Sequence, residues 1–454
     1  LGAGGTNEVV TAPSDWFQES GTGPPKVESG RPKGNHGSGG RRRRCLRAAI
    51  LLAAFAAIGV DAAQPGYVEP VACRSCHQEI YDRYKETPMG RSFYLPHRDR
   101  DTADWNGASL YHEASNQYFE MFRRGDTRYV RRYRLQNGRR TDVLEREVTH
   151  IMGSGARALS LLHQTAEGRI YELPVAWYSQ ERAWGMAPGY DRKNHAGFTR
   201  QVTHKCMFCH NAYLNVPPQT SRTGWDGDVL FPKQLPLGID CQRCHGPGKK
   251  HIESRNPADV VNPAKLDPQR SLEVCMQCHF ETTTFRLPES LRRFQRPFYS
   301  YTPGEPLGDY IVHFDHAPGK GRDDKFEIVS AAYRLRQSRC FAGSEGRLTC
   351  VTCHSPHSRS VRISSTCANC HKSMKAHPAG GGQDCVKCHM PSRRTEDVVH
   401  VVMTDHKIAR RPPPGAGRAR STGAPCTSGR PWRACTAPTS TPPPAAPPPA
   451  RWSR

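Results

Sequence analysis

The sequence predicts a mainly α chain with much irregular loop, interrupted by one small antiparallel β insert. Three observations predict it. Hydrophobic residues make up only 36% of 454, fewer than an ordinary domain of that size uses to fill its core. Most segments are short and broken by Gly and Pro, which favours brief helices and loops over long elements. Between about residues 110 and 180 the pattern changes to aromatic and β-branched runs with turn signals, the mark of paired strands.

Taken from the amino terminus, residues 1–40 are rich in Gly, Pro and Ser and hold no initiator Met. They are expected to be an over-extended leader or disordered. Residues 41–63 read as an export signal. Arg41 to Arg44 and Arg47 form the basic region, Ala48 to Val60 the apolar run, and Val60 and Ala62 the small residues before a cleavage site. The apolar run is shorter than the roughly twenty residues that span a bilayer. The chain is therefore expected in the periplasm, soluble or anchored at its amino terminus.

Residues 64–409 are the working region. Strands are predicted at Tyr118–Arg123, Tyr129–Arg134, Thr141–His150 and Ile170–Tyr178, with turns at Gly125-Asp126 and Asn137-Gly138. Helices are predicted at Arg74–Thr87 and Ser271–Thr282. The end, residues 410–454, changes character again. From Pro412 onward it holds twelve Pro and no Asp, Glu, Lys or His, as a flexible Pro/Arg-rich tail or a frame-shifted gene end would.

The net charge of +23 does not argue for nucleic acid. Residues 1–62 carry +3 and 410–454 carry +8, leaving +12 for the middle.

Fourteen of the 18 Cys fall into seven Cys-x-x-Cys-His units. They are Cys73, Cys76 and His77; Cys206, Cys209 and His210; Cys241, Cys244 and His245; Cys275, Cys278 and His279; Cys350, Cys353 and His354; Cys367, Cys370 and His371; and Cys385, Cys388 and His389. Two Cys three positions apart reach the two vinyl groups on one porphyrin edge. The adjacent His then folds beneath the ring to ligate iron. Chance would supply about 0.03 such units at this Cys and His content. Structural zinc and disulfide frameworks give no reason for a His after every second Cys. The cofactors expected are seven covalently held c-type haems, whose macrocycles would supply the missing apolar bulk and pack the fold around themselves. Scaffolding by structural metals is the reading a covalent haem spectrum would exclude.

The seven His are separated by 133, 35, 34, 75, 17 and 18 residues. The last three haems are expected as close neighbours, and the second to fourth as another string. For sixth ligands His357, His251 and His377 rank first, each shortly after a unit and better placed to serve a neighbouring haem than its own. His163, His195, His204, His313, His316, His400 and His406 follow. His97, His112 and His150 fall outside this ranking. Met89 is a candidate for the first haem, where it would raise the potential. His313 and His316 together are a minor candidate for a separate metal. Cys340 is the one Cys of residues 64–409 outside the units.

The chain resembles the bacterial multihaem cytochromes of the c-552/c-554 type, which are related in haem arrangement to hydroxylamine oxidoreductase. The resembling stretches are Cys73-Arg-Ser-Cys-His77 with Thr87-Pro-Met-Gly-Arg-Ser92, and Gly238-Ile-Asp-Cys-Gln-Arg-Cys-His-Gly-Pro-Gly248. Leu348-Thr-Cys-Val-Thr-Cys-His-Ser-Pro-His357 and Asp384–Pro391 complete the set. The resemblance implies a mainly α multihaem cytochrome c fold, mostly bis-His haems, and electron transfer with periplasmic or membrane redox proteins. In tetrahaem relatives a His tends to stand where this chain has Met89.

The alternative is an oxidoreductase acting on a small nitrogen or sulfur compound at one open haem. That chemistry needs a displaceable sixth ligand and proton donors. Thirteen His outside the units in residues 64–409 are enough to fill every sixth position, which favours the carrier. There is no Cys-x-x-Cys-Lys unit.

Overall fold

The computed structural model describes residues 66–97, 102–214, 229–280, 290–293, 296–359, 363–372, 385–398 and 400–410. The leader, the export signal, His377 and the tail beyond Arg410 lie outside the described residues.

The fold is not mainly α. Among the described residues helix and strand are nearly balanced, at about 28% and 25%. Two physical causes account for the difference. The first is that five of the seven Cys-x-x-Cys-His units lie in helices of only four to eight residues, which stop at the motif His or one residue before it. α1 (Val71–Lys85) is kinked at His77, where φ is −117° and ψ 40°. α2 (His204–His210), α3 (Gln242–His245), α5 (Pro268–His279) and α10 (Cys385–His389) each end on the motif His. α8 (Cys350–Cys353) and α9 (Ile363–Cys370) end one residue before it. Between them lie α4 (Lys249–Ser254), α6 (Ala331–Arg336) and α7 (Arg339–Gly343).

The second cause is the size of the β region, which runs over 93–201 rather than about 110–180 and holds ten strands. β2 (Asn106–His112), β3 (Gln117–Arg124), β4 (Thr127–Gln136) and β5 (Arg139–Glu147) form an antiparallel meander in sequence order. Gly125 and Asp126 link Arg124 to its partner Thr127, and Asn137 and Gly138 link Gln136 to Arg139. Asn137 and Gly138 have φ of 51° and 75°, the left-handed pair that a type I′ hairpin requires. Side chains alternate along β3: Gln117, Phe119 and Met121 are buried while Tyr118, Glu120 and Phe122 face the other way.

A second antiparallel sheet takes β1 (Phe93–Tyr94), β6 (His150–Met152), β7 (Ala158–Gln164), β8 (Ile170–Tyr178) and β10 (Arg200–Gln201) in that order, with β9 (Ala183–Met186) also pairing β8. The two sheets share one core of Trp105, Phe119, Met121, Val130, Leu161, Val175 and Trp177. Each such side chain, taken from water, stabilises the fold by about 1.5–3 kcal/mol. Val398 and Val401, near the carboxyl end, join the same core. Two short hairpins, β11 (Ser290–Arg292) with β12 (Ile311–His313) and β13 (Ser392–Arg394) with β14 (Val402–Thr404), complete the strands.

The haem-unit helices are tied to these parts by specific contacts. Met207, inside the second unit, is fully buried against Phe93, Leu162 and Tyr299. α5 is the best formed of them. Asp267 caps it by accepting from the Arg270 N–H at 3.1 Å, Pro268 opens it, and Leu272 and Met276 pack on Tyr301 and Tyr310. Gly238 and Gly90 bring the loop before the third unit against the loop after α1. Gly238 has φ +69°, and a Cβ there would stand 2.3 Å from the Gly90 carbonyl oxygen. The Ile239 N–H donates to the Met89 carbonyl at 3.1 Å, and the Tyr84 hydroxyl donates to the Ile239 carbonyl at 3.0 Å. No helix among the described residues is long and apolar enough to cross a membrane.

Candidate haem centres

All seven units lie within the described residues, and their cysteines form no disulfides there. The units adjoin one another. The Cys73 and Cys241 thiols adjoin, bringing the first unit against the third. Cys275 meets Cys350, joining the fourth to the fifth, and Cys367 meets Cys385, joining the sixth to the seventh. Cys244 lies in the electrostatic reach of Cys278, Cys353 in that of Cys367, and His210 in that of His279. Two groups of neighbours thus merge into one series, with the second unit set beside the fourth.

Several motif His are oriented by a main-chain carbonyl. Nδ1–H of His210 donates to Ser92 at 3.3 Å, of His245 to Val261 at 2.7 Å, and of His389 to Ala409 at 2.8 Å. A carbonyl can only accept, so the proton is held on Nδ1 and the lone pair on Nε2. That is how a metal-ligating imidazole is usually prepared. These three carbonyls gave no sign in the sequence, since each belongs to a segment remote from the motif or to an ordinary loop.

Three motif imidazoles face a second imidazole. His77 and His251 have ring centres 6.3 Å apart with planes within 15°. His245 and His357 stand at 5.9 Å and 8°. His354 and His406 stand at 6.2 Å and 29°. Two imidazoles on opposite sides of one metal, each nitrogen about 2 Å from it, have ring centres about 6 Å apart. The residues present therefore fit a bis-His iron at three units. His251 and His406 also donate Nδ1–H to carbonyls, of Asn256 at 2.9 Å and Thr404 at 3.1 Å. Burial lowers the pKa of His210, His279, His354, His357 and His406. This favours the neutral imidazole that binds metal.

The remaining candidates stand elsewhere. His195 belongs to the β region, with its ring beside His112, Phe119 and Tyr190, and its Nδ1 accepts from the Gly197 N–H at 3.1 Å. That bond places the proton on Nε2, the opposite tautomer from the one prepared at the motif His. His163, on β7, donates Nδ1–H to the Glu147 carbonyl at 2.9 Å. His400 packs on Tyr178 and holds the Glu181 carboxylate at 3.1 Å. His204 lies between Phe231 and Phe298. His313 packs edge-on against Phe280, next to the fourth motif His, and neither of its buried ring nitrogens has a hydrogen-bond partner. Burial lowers its pKa to about 4. His316 lines a cavity of about 480 Å³ with Asp315, Arg322, Tyr333 and Lys407. No cluster of three or more metal-binding side chains occurs among the described residues. Met89 is half-buried, and its carbonyl accepts from Ser92 and Ile239.

Asp405 holds the segment before His406. It takes two hydrogen bonds from Arg334, at 2.9 and 2.7 Å, and one from Arg393 at 2.9 Å. Arg334 and Asp405 are almost wholly buried.

Repeated haem-attachment units, with imidazoles paired at the spacing of one iron, define a class: the multihaem c-type cytochromes. Among curated proteins the chain is similar to the multihaem cytochrome MtrA of Shewanella baltica (strain OS185), at 21% identity over 184 residues. The match covers 37% of this chain and 53% of MtrA, so the chain spans about half the length of that relative. No family model matches. Among solved structures, the outer cell wall cytochrome OcwA aligns over 76% of this chain and 79% of its own, at 16% identity and a TM-score of 0.48. An undecahaem cytochrome from the S-layer of Carboxydothermus ferrireducens aligns over 74% and 52%, at 16% identity and a TM-score of 0.35. Both structural likenesses are too loose to establish a shared fold.

Proposed function

We propose that this chain carries seven c-type haems, one on each unit, and passes electrons along them in the periplasm between other redox proteins. The observation that carries the reading is the three His pairs at the spacing of one iron. They supply two strong ligands to each of three irons, which suits transfer rather than substrate binding. Contacts between units support the same reading, since they set the attachment points side by side.

Bound haem supplies an iron that alternates between ferric and ferrous states. The chain's own residues hold and orient it. Cys73 and Cys76, and their counterparts in the other units, anchor the porphyrin edge. The motif His of each unit would supply one iron ligand. His251 would supply the second ligand to the first haem, His357 to the third and His406 to the fifth. The carbonyls of Ser92, Val261 and Ala409 keep the proton on Nδ1. His163, His204, His313, His316, His377 and His400 are left for the second, fourth, sixth and seventh haems, and Met89 is left to packing.

Export through residues 41–63 places the chain where haem is attached. Membership of the c-552/c-554 type rests on the motif sequences quoted above. The reading is tested by intact mass of the exported holoprotein, with haem quantified on the same sample. Seven covalent haems per chain are expected. A smaller whole number at full loading, or haem removable by acid-acetone extraction, contradicts it.

A further inference from the structure

Arg243 stands inside the third unit, between Cys241 and Cys244, and is only 2% exposed. Its guanidinium lies over three aromatic rings, 4.3 Å from the centre of Phe208, 4.9 Å from Tyr213 and 5.0 Å from Tyr299. One terminal nitrogen donates to the Phe208 carbonyl at 2.8 Å, and the buried Nε–H has no hydrogen-bond partner. The carboxylate closest in sequence, Asp240, is turned to other donors. It accepts from the Arg243 main-chain N–H at 3.2 Å and from the Gln242 amide at 3.1 Å. Among the described residues no ion pair is formed by the guanidinium.

A guanidinium does not lose its proton in a protein. Taking one out of water is costly unless it is paired. Here ring faces and one carbonyl compensate it at contact, with the Asp240 carboxylate acting only at longer range and not as an ion-pair partner. The chain therefore keeps a permanent positive charge without a direct ion-pair partner at one place, and three units meet there. Phe208 lies within the second unit, and Cys209 and Cys278 are in the electrostatic reach of the guanidinium. Gln277, within the fourth unit, donates its amide to the Arg243 carbonyl at 3.1 Å. Away from water such a charge acts over a longer range than at a surface.

We propose that Arg243 is a tuning residue, a fixed cation that raises the reduction potentials of the haems on the second, third and fourth units. The proposal rests on the reading that these units carry haem. Reduction adds an electron to each centre, and a nearby positive charge stabilises the reduced form.

The experiment is optical potentiometry of the full-length holoprotein as wild type, Arg243→Met and Arg243→Lys. Methionine fills an apolar, ring-lined space without charge, and Lys keeps the charge. In Arg243→Met about three of the seven haems should move to lower potential while the rest stay. Arg243→Lys should stay close to wild type. An unchanged titration in Arg243→Met overturns the proposal. So does an Arg243→Lys that shifts as Arg243→Met does, because ring packing rather than charge would then be responsible. If Arg243→Met does not load haem, Arg243→Gln takes its place. Failure of both neutral variants to load, with Arg243→Lys loaded, would make Arg243 a structural post and also overturn it. A wild type without covalent haem would instead overturn the underlying reading.

Discussion

His357 follows the fifth unit by three residues, yet its imidazole lies opposite His245 of the third, ring centres 5.9 Å apart and planes within 8°. A His placed just after one motif therefore lies against the imidazole of a different one. The same holds for His251, which follows the third unit and faces His77 of the first. Each crossing brings together two units that are distant in sequence, and under the proposed ligation iron binding would be coupled to folding.

Replacing His357 with Ala should remove one iron ligand and leave the other six haems unchanged. Low-temperature EPR of the ferric variant should show a high-spin signal from about one seventh of the haem. His251→Ala and His406→Ala should each give the same fraction. A wholly low-spin spectrum in His357→Ala would assign the ligand elsewhere.

Breaking the Arg334–Asp405 pair should destabilise the carboxyl-terminal part strongly. Both side chains are almost wholly buried, and Arg334→Leu would leave Asp405 with Arg393 as its remaining side-chain partner. Loss of one partner from a buried pair costs about 3–5 kcal/mol. The value here should fall near the lower end, read from denaturant unfolding. Because Asp405 precedes His406, part of the fifth haem should also become high-spin. A change under about 1 kcal/mol would contradict this role.

Gly238→Ala combines a strained backbone with a clash. The residue has φ +69°, and its new Cβ would meet the Gly90 carbonyl oxygen at 2.3 Å. Left-handed backbone alone costs on the order of 1–3 kcal/mol at such a residue. The expected outcome is a lower unfolding midpoint and incomplete haem loading, whereas Gly248→Ala, with ordinary contacts and no positive φ, should be mild. Equal effects of the two would contradict the close approach of these loops.

Glu172 should make stability fall as pH rises through the weakly acidic range. It is 7% exposed, and burial raises its pKa despite Arg200 at 3.0 Å. The folded state then holds the proton more tightly than the unfolded chain, whose Glu titrates near about 4.3. Between the two values the folded state binds more protons, so stability drops with increasing pH and levels off above the raised value. Glu172→Gln should flatten that drop when unfolding midpoints are compared from pH 4 to pH 7. Identical profiles would contradict the assignment.

Local spacing made some of this legible. Cys-x-x-Cys-His is a contiguous pattern, and Asn137-Gly138 between alternating runs marks a hairpin, so the units and β3 to β5 could be placed from residues alone. The balance of helix and strand could not. Each unit looks helical, but in all except the first the helix stops at its His or one residue before it, and strands such as β2, β6 and β9 lack a long alternating run. His406 opposite His354 depends on the β13–β14 hairpin and on Arg334, neither of which has a local signature. Arg243 was hidden for another reason: Arg is rarely buried without a partner, so nothing in the sequence singled it out.

The most direct test of the central claim is low-temperature EPR of the purified ferric protein, with haem quantified on the same sample. An electron carrier with two strong ligands at every iron predicts seven haems and low-spin signals alone. A high-spin signal near one seventh of the haem in the wild type would contradict it, and would turn attention to nitrite, hydroxylamine and sulfite as substrates at an open iron.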